Sequence, residues 1–224
     1  MAEKDKGPVS LEPRWPIALT IAGFIAITIA LRVLQPKRES VGPHWLVPAL
    51  EIAMLLALLA ANPAHIQERR RWLRRVAIGL IFALGVAALV STVVLVVDLI
   101  DGGQVTQSAS SLLASGALIW LGNALVFSLT YWIFDTGGPW VRYQGTRAFP
   151  DFAFTQQMSP ELAPPGWRPM YVDYLVLGLN TSAAFSPTDV MPMARWAKLA
   201  MSLQSLLSLT VIALVVARAV NAFT

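Results

Sequence analysis

Five stretches of this chain run for 17 to 25 residues with almost no charge, and no other feature limits its fold as strongly. They span Trp15 to Leu34, Trp45 to Ala61, Val76 to Val97, Ser110 to Phe134 and Trp196 to Ala219. A hydrocarbon layer ~30 Å thick is crossed by about 20 helical residues, and inside it every backbone polar group needs an internal partner. Such runs therefore predict transmembrane helices. Only 13% of the 224 residues are charged against 56% hydrophobic, about half the charge of a soluble domain. The expected fold is an all-α polytopic membrane protein, with five transmembrane helices plus one re-entrant or short pore-type helix. It divides into a three-helix unit over 1–107 and a pore-like unit over 108–224. The polar start, MAEKDKGPVSLEPRW, is too acidic for a signal peptide, so the first run reads as a retained anchor.

Charge is concentrated in one loop. Arg69, Arg70, Arg71, Arg74 and Arg75 lie between the second and third runs. Arginines beside a span mark its cytoplasmic end and attract anionic lipid headgroups. The net charge of +4 thus reports topology and implies no nucleic-acid partner. On this count Asp98 and Asp101 close the third span on the outside, and the loop after the fourth span is cytoplasmic. The multi-pass arrangement points to a plasma membrane.

Two stretches do not read as simple spans. Asp135 to Pro169 is rich in glycine, proline and aromatic residues; proline breaks helices and aromatics favour the headgroup layer, so an interfacial loop is expected. Met170 to Pro187 is apolar but interrupted: MYVDYLVLGLNTSAAFSP. About 14 helical residues cover only ~21 Å, the length of a re-entrant segment. Asn180, Thr181 and Ser182 fall at its inner end, and Ser186, Pro187, Thr188 and Asp189 follow. Hydroxyl, amide and carboxylate groups gathered where a chain turns back at membrane depth are how ion paths are lined. An ordinary short hairpin with polar ends, or a full sixth crossing, is the alternative reading of the same residues.

Polar groups inside spans are costly. Glu51 needs a partner or an aqueous path, and Asn123 and Gln204 are further candidates, with a helix–helix hydrogen bond as the plainer role for Asn123. His44 and His65 sit at opposite ends of one short run, so no metal site is expected. No catalytic triad, phosphate loop or carboxylate pair is evident, which argues against an enzyme, and no cofactor is implied. The chain has no cysteine, which removes thiolate chemistry.

Asp173 to Val220 resembles the pore region of potassium-channel-like proteins. Asp173 and Tyr174 open the pore helix, and Thr181 falls on a threonine near its end. Phe185-Ser186-Pro187-Thr188-Asp189 takes the place of the filter Val-Gly-Tyr-Gly-Asp. Pro192 matches the proline after the filter, Lys198 a basic residue opening the inner helix, and Ala213 to Arg218 the end of that helix. The layout is also similar to a group of uncharacterised bacterial inner-membrane proteins. The resemblance implies a pore-loop homo-oligomer, a tetramer, that passes small ions. The filter itself departs from the pattern. Ser186 and Thr188 fill both glycine positions and Pro187 replaces the tyrosine, so a stack of backbone carbonyls selective for potassium is not carried over. The expected function is a weakly selective channel-like protein. A non-conducting structural protein that kept the fold, or a small transporter, is the alternative.

Overall fold

The computed structural model describes residues 12–13, 15–34, 52–53, 71–101, 109–147, 149–184 and 189–223. They are mostly helical. The long elements are α1 (Trp15–Leu34), α2 (Arg71–Asp101), α3 (Ala109–Phe134), α6 (Tyr171–Ala184) and α7 (Arg195–Phe223). Between α3 and α6 lie a 3-10 turn (Asp135–Gly137), α4 (Pro139–Gln144), strand β1 (Phe152–Phe154), α5 (Thr155–Met158) and a second 3-10 turn (Pro160–Leu162). Strand β2 (Val190–Pro192) precedes α7.

Among the described residues, three helices are long and apolar enough to cross a membrane, over Arg75–Val97, Ser110–Gly137 and Arg195–Val220. They match the third, fourth and fifth expected spans. α1 coincides with the first expected run and is a shorter apolar helix. The second run, with Glu51 and both histidines, lies outside the described residues apart from 52–53, as do Arg69 and Arg70.

α3 is the axis of the bundle. It packs against α1, α2, α6 and α7, and 61% of its apolar window is buried, against 29% for α2 and 28% for α7. Small residues let its neighbours approach closely, as helix packing without a strong solvent drive requires. Gly122 of α3 faces Phe24 and Ile27 of α1, Gly85 of α2 faces Val126, and Gly116 meets Val215 of α7. Asn123 donates to Thr92 Oγ1 at 2.9 Å, a buried bond between α3 and α2.

These pairings fix the direction of each helix. Glu12, just before α1, reaches Trp132, whereas Phe24 lies near Gly122, so α1 runs antiparallel to α3. Buried Ile81 and Leu84 of α2 cluster with Leu129, and Leu95 and Leu99 cluster with Leu112 and Ile119; α2 is antiparallel too. α7 follows suit, with Trp196 against Phe134 and Val215 against Gly116. The starts of α1, α2, α6 and α7, the end of α3 and the β ribbon therefore share one end of the bundle, here the ribbon end.

At that end Asp135 to Pro169 forms a folded cap where the sequence predicts an interfacial loop. β1 and β2 pair antiparallel, with Phe152 opposite Pro192, Ala153 opposite Met191 and Phe154 opposite Val190. Phe152 and Phe154 are buried on Tyr131, Trp167, Tyr174 and Trp196 in an aromatic layer of tilted and edge-on rings, the arrangement ring quadrupoles favour.

Candidate functional site

The segment expected to be re-entrant starts at the ribbon end. Tyr174, in the first turn of α6, bonds Asp135 at the end of α3 and touches Phe154 of β1. One turn on, Gly178 rests on Ala124 and Ser128 of α3. At its last turn, the Ser182 carbonyl accepts Trp120 Nε1–H at 3.3 Å. Trp120 lies 15 residues before Asp135, about 22 Å along α3 at helical rise. α6 thus descends partway into the bundle. Six residue steps after Ala184, the end of α6, Val190 is in the ribbon, paired with Phe154, so the chain leaves on the side from which it came.

Gly178 sits where no side chain fits. A Cβ there would lie 2.1 Å from Ser128 Oγ and 2.9 Å from the Ala124 carbonyl oxygen. Across the helix, Gln204 of α7 forms a buried clamp. Its Nε2 donates to the Gly178 carbonyl at 2.6 Å and to Ser182 Oγ at 2.7 Å. Its Oε1 accepts the Tyr131 hydroxyl of α3. One amide, with two donors and an acceptor, ties together α3, α6 and α7.

The residues expected to line a path divide. Asn180 is half-buried, and Asp189 is exposed with its carbonyl taking Thr155 N–H at 3.1 Å and Thr155 Oγ1–H at 2.7 Å. Thr181 and Ser182 are fully buried. Thr181 donates to the Leu177 carbonyl at 2.8 Å, and Ser182 belongs to the Gln204 clamp, so within one chain both face packed helices. Phe185, Ser186, Pro187 and Thr188 lie outside the described residues. Of the arginine cluster, Arg75 is exposed at the start of α2, and Arg71 and Arg74 lie on that helix.

Sequence reasoning missed the polar cluster above α6. Asp135 is 1% exposed. Its Oδ1 accepts Thr136 Oγ1–H at 2.9 Å and the Asp151 and Phe152 N–H groups at 3.0 and 3.2 Å, and its Oδ2 accepts the Tyr174 hydroxyl. Asp151 Oδ2 takes Thr136 N–H at 2.8 Å and Arg147 Nη1 at 3.1 Å. Thr136 has φ 55°, a left-handed conformation costly for a β-branched residue; the two aspartates hold it there. Arg142 stacks 4.9 Å from the Tyr174 ring centroid and donates to the Trp132 and Asp135 carbonyls at 2.7 and 2.8 Å. Both carboxylates in this cluster are held by protein donors. Its chemistry is structural: it fixes the ribbon and the upper turn of α6 to α3.

Beside it an open cavity of about 250 Å³ is lined by Glu12, Pro13, Trp167, Arg168, Tyr171 and Asp173, among others. Glu12 Oε1 accepts Trp132 Nε1–H at 3.0 Å and the Tyr171 N–H at the first turn of α6. Burial pushes its carboxyl above the usual glutamate range, against the opposing pull of Arg142 and of these two donors. No group of three or more possible metal ligands occurs among the described residues.

Compared with known protein families, with curated proteins and with solved structures, the chain finds no match.

Proposed function

We propose that the chain is a multi-pass protein of a bacterial inner membrane that passes small cations, with weak selectivity, through a path formed where several copies meet. The observation that carries this reading is the α6 hairpin, which goes down between α3 and α7 and returns to the ribbon end within six residue steps. Irregular backbone at membrane depth is tolerated only where protein or water surrounds it, and a half-length helix followed by such a return is how pore loops present polar groups to ions. α3, α6 and α7 then take the outer, pore and inner positions of a pore unit, and a tetramer is the closed assembly favoured for it.

Within that assembly Asn180 and the segment from Phe185 to Asp189 line the path. Thr181 and Ser182 act from behind, holding α6 through Leu177 and Gln204. Asp189, exposed at the mouth, supplies a ring of carboxylates whose field attracts cations. Pro187 and the side chains at 186 and 188 prevent a stacked carbonyl filter. The arginine-rich start of α2 sets the ribbon end toward the cytoplasm and its anionic lipid, so the hairpin opens inward.

A second reading, a non-conducting protein that keeps the pore fold, is favoured by one observation. The hydroxyls of Thr181 and Ser182 are satisfied inside a single chain. Reconstitution into a planar bilayer between opposed potassium and sodium solutions separates the two. The channel reading expects cation current reversing near zero, with reduced cation preference in Asp189→Asn. Strong potassium selectivity contradicts the filter argument, and absence of current across voltages and pH supports the non-conducting protein.

A further inference from the structure

We propose that the cleft between α2 and α7 seats one anionic phospholipid from the leaflet at the ribbon end, with an acyl chain laid on α3 and the phosphate between Arg75 and Arg195. The inference needs the bundle to lie in a membrane, and it stands whether the hairpin conducts or only scaffolds.

α2 and α7 both pack on α3. The strip of α3 between them is Asn123, Phe127, Thr130 and Phe134, one helix face at spacings of four, three and four. The two wall helices close over this strip at one end only. Far from the ribbon, Leu95 and Leu99 of α2 and Val211 and Val215 of α7 are buried in one cluster with Leu112 and Ile119, and Asn123 is covered by Thr92. Toward the ribbon end the strip emerges. Phe127 and Thr130 are half-buried there, and Phe134 is 38% exposed with the Trp196 ring of α7 beside it. Thr130 turns its hydroxyl to the Val126 carbonyl at 2.8 Å, so the floor of the cleft is apolar.

The open end carries charge of one sign. Gly85 of α2 faces Val126 of α3. Ten residues before Gly85 is Arg75, and nine after Val126 is Asp135, so Arg75 stands about 15 Å up α2, level with the end of α3. Arg195 immediately precedes Trp196, which touches Phe134 at that same level. Both arginines are exposed, and neither is in an ion pair with a described residue. An apolar floor below unpaired cations matches an anionic phospholipid, whose chain lies along the floor while its phosphate meets the guanidinium N–H groups. A second copy of the chain matches it poorly. Over their apolar windows the three spanning helices hold one carboxylate, Asp135, which is buried and already taken by its own donors. A helix seam there would cover two arginines without supplying an anion, a costly arrangement.

Native mass spectrometry of the full chain released from nanodiscs counts the lipids that each copy keeps. From equal amounts of phosphatidylglycerol and phosphatidylcholine, one phosphatidylglycerol per copy should be retained, preferred by about fivefold for each arginine. Arg75→Gln combined with Arg195→Gln should bring the two lipids to parity, whereas Lys at both positions should keep most of the preference. Thr130→Trp fills the floor and should release the lipid; Leu89→Trp, on the exposed face of α2, should not. Equal retention of the two lipids by the native chain overturns the proposal, as does a preference that survives the double Gln variant. Retention unchanged in a helical Thr130→Trp protein places the lipid elsewhere and overturns the seat. The native chain has no cysteine, so a disulfide that joins two copies through Thr130→Cys in the bilayer would give the cleft to a second copy instead.

Discussion

Gly178 shows how much of the packing of α6 rests on one residue. Its missing side chain lets α6 touch the α3 backbone at Ala124, where a Cβ would stand 2.9 Å from a carbonyl oxygen. The nearby Ser128 hydroxyl is itself bonded to the Ala124 carbonyl at 2.7 Å, so it cannot turn away without losing that bond. Gly178→Ala should therefore destabilise the fold by about 1–3 kcal/mol, the range for overpacking a tight interface, despite alanine's better helix propensity. Reversible unfolding in mixed micelles would measure it. A neutral or stabilising result would mean that α6 does not lie against α3 as described. At Gly79 an added Cβ meets nothing within 4 Å; Gly79→Ala, the control, should be neutral or slightly stabilising.

Among the elements, α6 and α7 are joined chiefly by the Gln204 amide. Buried polar groups left without partners cost more than the bond they made, and interhelical hydrogen bonds in membranes contribute roughly 0.6 kcal/mol each, up to about 1.7. Gln204→Leu breaks three bonds and orphans the Tyr131 hydroxyl and Ser182 Oγ, so a loss of roughly 1–3 kcal/mol is expected. Adding Tyr131→Phe should cost less in the Gln204→Leu background than in the native protein, since the hydroxyl has then already lost its acceptor. Equal costs in a double-mutant cycle would refute the clamp. The long helices that are described were legible in the sequence: α1 begins and ends at the limits of its apolar run, and the shortness of α6 followed from the interrupted apolar stretch Met170 to Pro187. Gln204 stood out as a polar residue in a span, but its partners did not. Gly178 gave no signal, because a glycine among apolar residues looks the same whether or not a carbonyl lies against it. The ribbon was hidden for another reason. Three-residue strands carry no alternation to read, and Ala153 and Met191 are 38 positions apart.

At the scale of the whole molecule, the ribbon end gathers nearly all the described chemistry. Buried Asp135 and Asp151, Glu12 and the exposed Asp189 all lie there, above a bundle whose described middle holds buried amides and hydroxyls, among them Asn123, Gln204, Ser128 and Thr181, and no described charged side chain. A charge-count reading of Asp135 to Pro169 could pair Arg147 with Asp151 but could not find the two aspartates' wider role, because their other donors are backbone N–H groups, the Thr136 hydroxyl and a tyrosine from α6. The central claim is that α6 enters and leaves on one face, and two-sided labelling of sealed inside-out and right-side-out vesicles tests it most directly. Cysteines would replace Leu162 before the hairpin, Met193 after it, and Ser110 at the start of α3, all three exposed. Impermeant maleimide should label positions 162 and 193 from the same face, the cytoplasmic one, and position 110 from the opposite face. Labelling of 162 and 193 from opposite faces would make residues 171–184 part of a full crossing and contradict the account.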